Sequence, residues 1–593
     1  MTAANYAAGS KYNLIVEGRG VADASVAGGY LGAITNSGAG SFTANPFTTI
    51  TMTGATTFSG RSGSNSGRWG ITSINANGHD IIIVNANGLS WGVSTLANAQ
   101  NVRDIYIEQG HMYADASVFG DDNYTIFIQA SRPASTTFRG ELRRYNGSMT
   151  ITKKIALNGG IVGFESDAGG ASSVPRTLTL AGQVTLMDNN ALAANRFNSG
   201  VVNRDIKITG KVTGTGGFEY QGITGSYNHG GTTATERYSV LTLTNSANDF
   251  TGAIRLIRGV IRMSDGSANG TLGAGSNEFN FNTAGNIAVL DLFGTSQGIG
   301  ALNGASATNH FVQNNRTNTT ATLTVGGGDA NGSFAGVLRD YGALPAGNAS
   351  GSEATYTGDG ATDAKLALVK TGAGMQILTG VSTFTGGTTV NGGVLQVGVG
   401  NTGQSSARLG GGGFTINNGG TLAGNGIIGA AGVLSTIHEG GTLAPGTSTQ
   451  TGAQRLDVYG SLTSNGTLGF EILAVTLGGG NTGNSNSLRF FSDEQITLGG
   501  SLAVSNTSGT DSTTWTEGTW FQLVDWNAVS AGNRSVNFTD VSLLPGLGGG
   551  LEWDISRFQT EGRIYVAVPE PGRVVLLMLG CAAFGLRRRR QVG

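Results

Sequence analysis

Cysteine is almost absent. The chain has 593 residues and one cysteine, Cys581. A disulfide framework is thereby excluded, and stability has to come from core packing and backbone pairing. Proline is scarce at 8 residues, and two of them stand together at Pro569 and Pro571. Charged residues make up 12% of the chain, against roughly 25% in an ordinary soluble domain. The net charge is -2, with no basic stripe before the last residues, so nothing favours a nucleic-acid partner. A long apolar run is missing at the start of the sequence as well. Met1 to Leu14 has no continuous apolar segment of the kind a secretory leader carries, and the expectation is that such a leader precedes this sequence.

Glycine is abundant at 101 residues, without the strict three-residue period of collagen. Hydrophobic residues at 38% are too many for a disordered linker. Glycine together with Thr, Val, Leu and Asn fits many short strands joined by tight turns.

The chain repeats itself. The clearest unit is Leu368 to Gly398, LVKTGAGMQILTGVSTFTGGTTVNGGVLQVG, and a second copy lies 134 residues earlier. Phe250-Thr251-Gly252 matches Phe384-Thr385-Gly386, and Val260 to Met263 matches Val394 to Val397. Side chains alternate faces along a strand, so Ile261 and Met263 belong with Leu395 and Val397 on an inner face. Arg262 and Gln396 share the outer one. A weaker third copy is Ile50 to Gly60. Farther on, Leu395, Leu422, Leu443 and Leu468 follow Gly-rich turns at intervals of 27, 21 and 25 residues. A strand every 20 to 30 residues is the signature of a solenoid, and these four leucines are expected to stack in one inward column.

Thr383 to Gly398, with the later Gly440-Gly441-Thr442-Leu443-Ala444-Pro445-Gly446, resembles the autotransporter-associated β-strand repeat of bacterial surface passengers. The resemblance implies an all-β chain folded as a right-handed parallel β-helix. It is specific over residues 366–480 and degenerate over 1–365, where Asn77 to Val84 still fits a rung. Residues 481–566 change character, holding Trp515, Trp520, Trp526 and Trp553 of the six tryptophans. This segment reads as a C-terminal β cap, since an open solenoid end would recruit other chains. Core tryptophans are the expectation there; exposed sugar-stacking rings are the sharper alternative.

The last residues form a tail over 567–593. Pro569-Glu570-Pro571 precedes an apolar stretch, Val574 to Leu586, and a basic stop, Arg587, Arg588, Arg589 and Arg590. The apolar stretch is short for a membrane span of about 20 residues, but serves as a minimal one if flanking arginines snorkel. The arginines fix its direction, with everything before Pro569 on the non-cytoplasmic side. This layout resembles the PEP-CTERM sorting signal of Gram-negative bacteria. The resemblance implies processing by an exosortase near Pro569, Glu570 and Pro571, transient anchoring by a membrane helix over 574–586, and release at the cell surface or into an extracellular matrix.

Local patterns that could carry chemistry have plainer readings. Gly424 to Gly429 matches a dinucleotide fingerprint, but no helix follows it, so a rung corner is expected. Gly294-Thr295-Ser296-Gln297-Gly298 matches a nucleophile elbow without the strand-to-helix context, and nothing links Ser296 to His310. The five histidines, His79, His111, His229, His310 and His438, show no metal-ligand spacing. Asp121-Asp122-Asn123 and Gly327 to Gly332 occur once each and read as turns rather than calcium loops. The expectation is therefore a chain with no catalytic residues, no metal and no cofactor. It would be a structural or adhesive surface solenoid whose partners are an exosortase, the membrane and extracellular polysaccharide. A β-helical polysaccharide lyase or hydrolase and a passenger-like autotransporter adhesin are the alternatives.

Overall fold

The computed structural model describes residues 12–569 except 21, 23–31, 37–46, 61–68, 72, 86–92, 97–98, 115–118, 130–138, 145–146, 165–175, 189–194, 200–203, 223–226, 230–231, 235–237, 283–284, 343–362, 402 and 476–481. Two compact units divide the chain, Met1–Thr388 and Thr389–Gly593. Both are built from short strands; the one α-helix among the described residues is Phe558–Glu561. No described helix is long and apolar enough to cross a membrane. Residues 574–586, where the membrane helix is expected, lie outside the described residues.

In the first unit, strands from successive rungs pair in parallel and in register. One sheet aligns Phe58, Ile83, Ile107, Ile128, Leu157 and Leu186, each directly opposite the next. All six are buried. A second sheet aligns Met112, Leu142, Val162, Phe197, Tyr220, Leu256 and Phe281. A third aligns Leu178, Ile206, Leu241, Ile261, Leu290, Val312 and Leu338. Burying one such side chain contributes about 1.5–3 kcal/mol, and the column repeats the contribution at every rung. The third sheet also buries its other face. Val240, Val260, Val289 and Phe311 form an apolar cluster there, with Tyr238, Ile287 and Val337 packed against it. Tyr12–Gly18 joins the unit by parallel pairing with Phe47–Gly60.

The copies read from the sequence fall on real strands. Ile254–Arg262 carries Ile261 inward, and Met263 is also buried. Arg262 points the other way, where its Nε donates to Asp291 Oδ2 at 3.0 Å. Asn77 and Gly78 form the left-handed turn that feeds Ile81–Asn85.

The second unit contains the predicted leucine column. Leu395 lies opposite Leu422, Leu422 opposite Leu443, and Leu443 opposite Leu468. Leu502 extends it by one more rung. All five are fully buried. Gln396, expected outside, is buried too. The turn after Pro445 folds over it, with the Ser448 N–H donating to Gln396 Oε1 at 3.0 Å. Parallel pairing continues through Ile496–Asn506 and Arg534–Asp540. Antiparallel pairing follows: Arg563–Ala567 pairs with Trp520–Gln522 on one side and Glu552–Asp554 on the other. Trp515 and Trp526 are core residues. The Trp526 Nε1–H donates to the Phe558 carbonyl at 2.9 Å, and its ring stacks on Phe490 at 5.3 Å. Trp520 is half-buried, with the Arg563 guanidinium 3.9 Å over its ring. The Trp526 ring is thus enclosed in the core, and one face of the Trp520 ring is covered by a guanidinium.

Candidate functional site

Pro569 stands exposed just beyond the last strand, Arg563–Ala567. Glu570, Pro571 and Arg587, Arg588, Arg589 and Arg590 lie outside the described residues. The final strand therefore delivers the chain to the surface at the point where the proline signature begins.

The pattern matches set aside on sequence grounds occupy structural positions. Gly424 ends the strand Gly420–Gly424 with φ 133°, and a Cβ there would meet the Val397 carbonyl oxygen at 2.0 Å. The N–H groups of Asn425 and Gly426 both donate to that same carbonyl at 3.0 Å, which is a corner and not a phosphate cradle. The Ser296 hydroxyl accepts from the Thr322 N–H at 3.1 Å. His310 is buried against Phe281, ring centroids 5.0 Å apart, and its Nδ1 accepts from the Ser306 N–H at 3.3 Å. Ser296 and His310 are thus each engaged with other groups. Asp329 Oδ1 and Asn331 Oδ1 accept from the N–H groups of Ala373 and Met375, each at 2.7 Å. The loop at Asp121 already has a cation: buried Lys153 donates to the Asp121 carbonyl at 2.7 Å. Desolvation holds that lysine's pKa below its ordinary value. No cluster of three metal-ligating side chains occurs among the described residues.

Buried amides act as corner brackets. Asn195 accepts from the Gly159 N–H and donates to the Met187 and Gly217 carbonyls. Asn248 and Gln297 bracket later corners in the same way. Each satisfies backbone groups that a turn would otherwise leave unpaired in the interior.

The densest concentration of charge was not evident from the sequence. It lies on the outer face of the first unit's second sheet. Successive outward positions there are His111, Glu141, Ile161, Arg196, Glu219, Arg255, Asn280 and Asn303, each registered on the next. Beside them runs Tyr113, Arg143, Gly163, Asn198, Gln221 and Arg258. Glu141 Oε2 lies 2.5 Å from His111 Nε2 and 2.6 Å from Arg143 Nε. Burial opposes its charge, but the His111 hydrogen bond and the Arg143 guanidinium hold its pKa down to about 2. Glu219 is gripped from both sides. Arg196 Nη2 donates to Oε2 at 2.7 Å and Arg255 Nη1 to Oε1 at 2.6 Å. Arg139 feels the charges of Arg196, Glu219 and Glu141, and burial lowers its pKa. Charge-assisted contacts of this kind fix guanidinium orientation. The sequence signal was present but scattered: a charge next to an inward apolar residue in Glu141-Leu142, Arg196-Phe197, Glu219-Tyr220 and Arg255-Leu256, spaced 20 to 60 residues apart.

The second unit has a smaller counterpart. Buried Asp457 is held by Arg455 at 3.0 Å and Arg489 at 2.7 Å. Arg489 also covers Phe491, which stacks on Tyr459 at 4.9 Å.

These features define a class, an all-β protein of stacked, parallel, in-register rungs with a charged outer face. Residues 368–397 match the family of the passenger-associated transport repeat. No curated protein matches the chain. The matched stretch includes Met375–Leu378 and Gly393–Val397, and Leu395 within it begins the leucine column.

Proposed function

We propose that this protein is a passenger-like surface protein, exported by a Gram-negative bacterium and acting as a non-catalytic structural or adhesive β-solenoid. The observation that carries the reading is the passenger-associated transport repeat at 368–397, whose Leu395 starts an unbroken registered column. Parallel in-register stacking supports a right-handed β-helix, the architecture that the repeat's resemblance implies. The resemblance of Pro569-Glu570-Pro571, 574–586 and Arg587 to Arg590 to a PEP-CTERM signal supports the route: membrane retention, exosortase cleavage, then surface or matrix attachment. The outward faces present amide, hydroxyl and guanidinium groups, which suit extracellular polysaccharide.

Two experiments test this reading. Proteinase shaving of intact producing cells, followed by mass spectrometry, should release peptides of the solenoid and a mature C-terminus near Pro569. An intact Gly593 on the shaved form would make the tail a permanent anchor, and a protein protected until lysis would remove the surface assignment. Purified chain incubated with neutral and acidic polysaccharides should release no reducing ends or unsaturated products; release would establish the lyase or hydrolase alternative.

A further inference from the structure

We infer that the free edge of Arg534–Asp540 pairs with the same edge of a second copy of this chain, antiparallel and centred on Asn537, and that Gln559 latches this edge in the single chain. The inference does not depend on the route of export. It concerns the second unit alone, where every residue from 482 to 569 is described.

Three observations carry it. The first is the edge itself. Arg534–Asp540 is registered on Ile496–Asn506, and no described strand is registered on its other side. There the Gln559 amide stands in for a neighbour. Its Nε2 donates to the Arg534 carbonyl at 3.0 Å, and its Oε1 accepts from the Val536 N–H at 3.4 Å. One residue of an adjacent strand would make the same two bonds. Alternation aims the peptide groups of Phe538 at this edge too, and Gln559 has no second amide for them. Peptide groups left along an edge are a template for another strand.

The second observation is that the strand complements itself. Turned about Asn537, it sets Val536 against Phe538, Ser535 against Thr539 and Arg534 against Asp540 of the other copy. Apolar against aromatic, hydroxyl against hydroxyl and cation against anion are cross-strand pairs that stabilise antiparallel sheets. Val536 and Phe538 both turn their peptide groups to the free edge, so they meet as hydrogen-bonded pairs, and Asn537 faces itself on the axis. Arg534 already donates to the Val529, Trp526 and Thr560 carbonyls, so it meets Asp540 through its charge. The third observation is exposure. Ser535, Asn537 and Thr539 are exposed, and Val541 and Leu543 just beyond them are 39% and 51% exposed. A bulge before Asp540 ends the regular stretch, which keeps the contact short and the affinity low. Such a contact is isologous and closes at two copies.

The test is sedimentation of the full chain over a concentration series, in a detergent that shields the apolar stretch 574–586. The native chain should pass from monomer to dimer and no further. Gln559→Ala should tighten the dimer about tenfold, because two latches, one per copy, no longer compete for the edge. Asn537→Lys and Asn537→Asp should each stay monomeric, since like charges would face each other on the axis. The position is exposed, so both variants should keep the native thermal midpoint. Mixed in equal amounts, the two variants should form a dimer again. Neither misfolding nor association through the tail can imitate that outcome. A native chain that stays monomeric at every concentration would give the edge to a strand of another protein. A dimer unmoved by Asn537→Lys would place the contact elsewhere, a mixture that stays monomeric would remove the two-fold pairing, and an unchanged affinity in Gln559→Ala would remove the latch. Each of these would overturn the inference. Proteinase shaving reads surface display separately, so either conclusion can fail without the other.

Discussion

At the scale of single residues, the leucine column gives the sharpest expectation. Leu422 sits between Leu395 and Leu443 with no exposed surface. Leu422→Ala should cost about 2–5 kcal/mol in chemical denaturation, through lost transfer energy and the cavity left behind. Leu422→Asp should unfold its neighbours, because a carboxylate there has no partner. Gly424→Ala should also destabilise, by roughly 1–3 kcal/mol, since φ 133° and the Val397 oxygen both oppose a Cβ. Glu141 sets an acid limit. Its folded pKa of about 2 lies below the ordinary 4.5, so its contribution is fully present above 4.5 and fades as pH falls toward 2. The contribution is roughly 3 kcal/mol. Urea midpoints measured from pH 6 to pH 2 should fall more steeply for the native chain than for Glu141→Gln, which should start from a lower plateau. The column was legible in the sequence because each leucine follows a Gly-Gly or Asn-Gly turn. The charged track was not, because its members meet only through register and no local motif announces them.

At the scale of elements, turn chemistry and alternation made the short strands readable, and coverage by distant loops made some faces unreadable. Ile261 inward and Arg262 outward follow from alternation alone. Gln396 alternates as expected and is nevertheless buried, because a turn 50 residues later lies over it. The columns of the first unit vary among Phe, Ile, Leu, Val, Met and Tyr, so no literal repeat betrays them, although apolar character is kept. The closing strands present another contrast. Tryptophan clustering led to the expectation of a cap over 481–566, and Arg563–Ala567 in that segment pairs antiparallel on both sides. Trp526→Ala should remove the stack on Phe490 and the bond to Phe558, lowering stability by about 3–5 kcal/mol. It should also promote self-association, visible by light scattering, as paired edges loosen.

At the scale of the whole molecule, stability is a sum of neighbour terms rather than one cooperative quantity. Hydrogen exchange on Leu422→Asp should accordingly show lost protection around Gly393–Val397, Gly420–Gly424 and Thr442–Pro445. Phe58, Ile83 and Ile107 should keep theirs, in the first unit. Uniform loss of protection across both units would contradict the additive picture. The tail belongs to this scale too. Glu570→Ala should block maturation without blocking membrane association, whereas Ser at Arg587 to Arg590 should disturb retention, and the mass of the surface-exposed form distinguishes the two.

Leu395, Leu422, Leu443, Leu468 and Leu502 remain in contact although 27, 21, 25 and 34 residues separate them in turn. Only the register of the strand is conserved along that series; the length of the excursion between strands is free. Mutation therefore meets two very different tolerances within a few residues of each other. One residue added inside Gly420–Gly424 would turn every following side chain of that strand to the wrong face. A dozen added at the corner would cost little more than the entropy of a longer loop. Duplication of a whole rung adds a layer without altering those on either side of it. The architecture can thus grow, shrink and acquire new decorations by recombination while its interior stays the same.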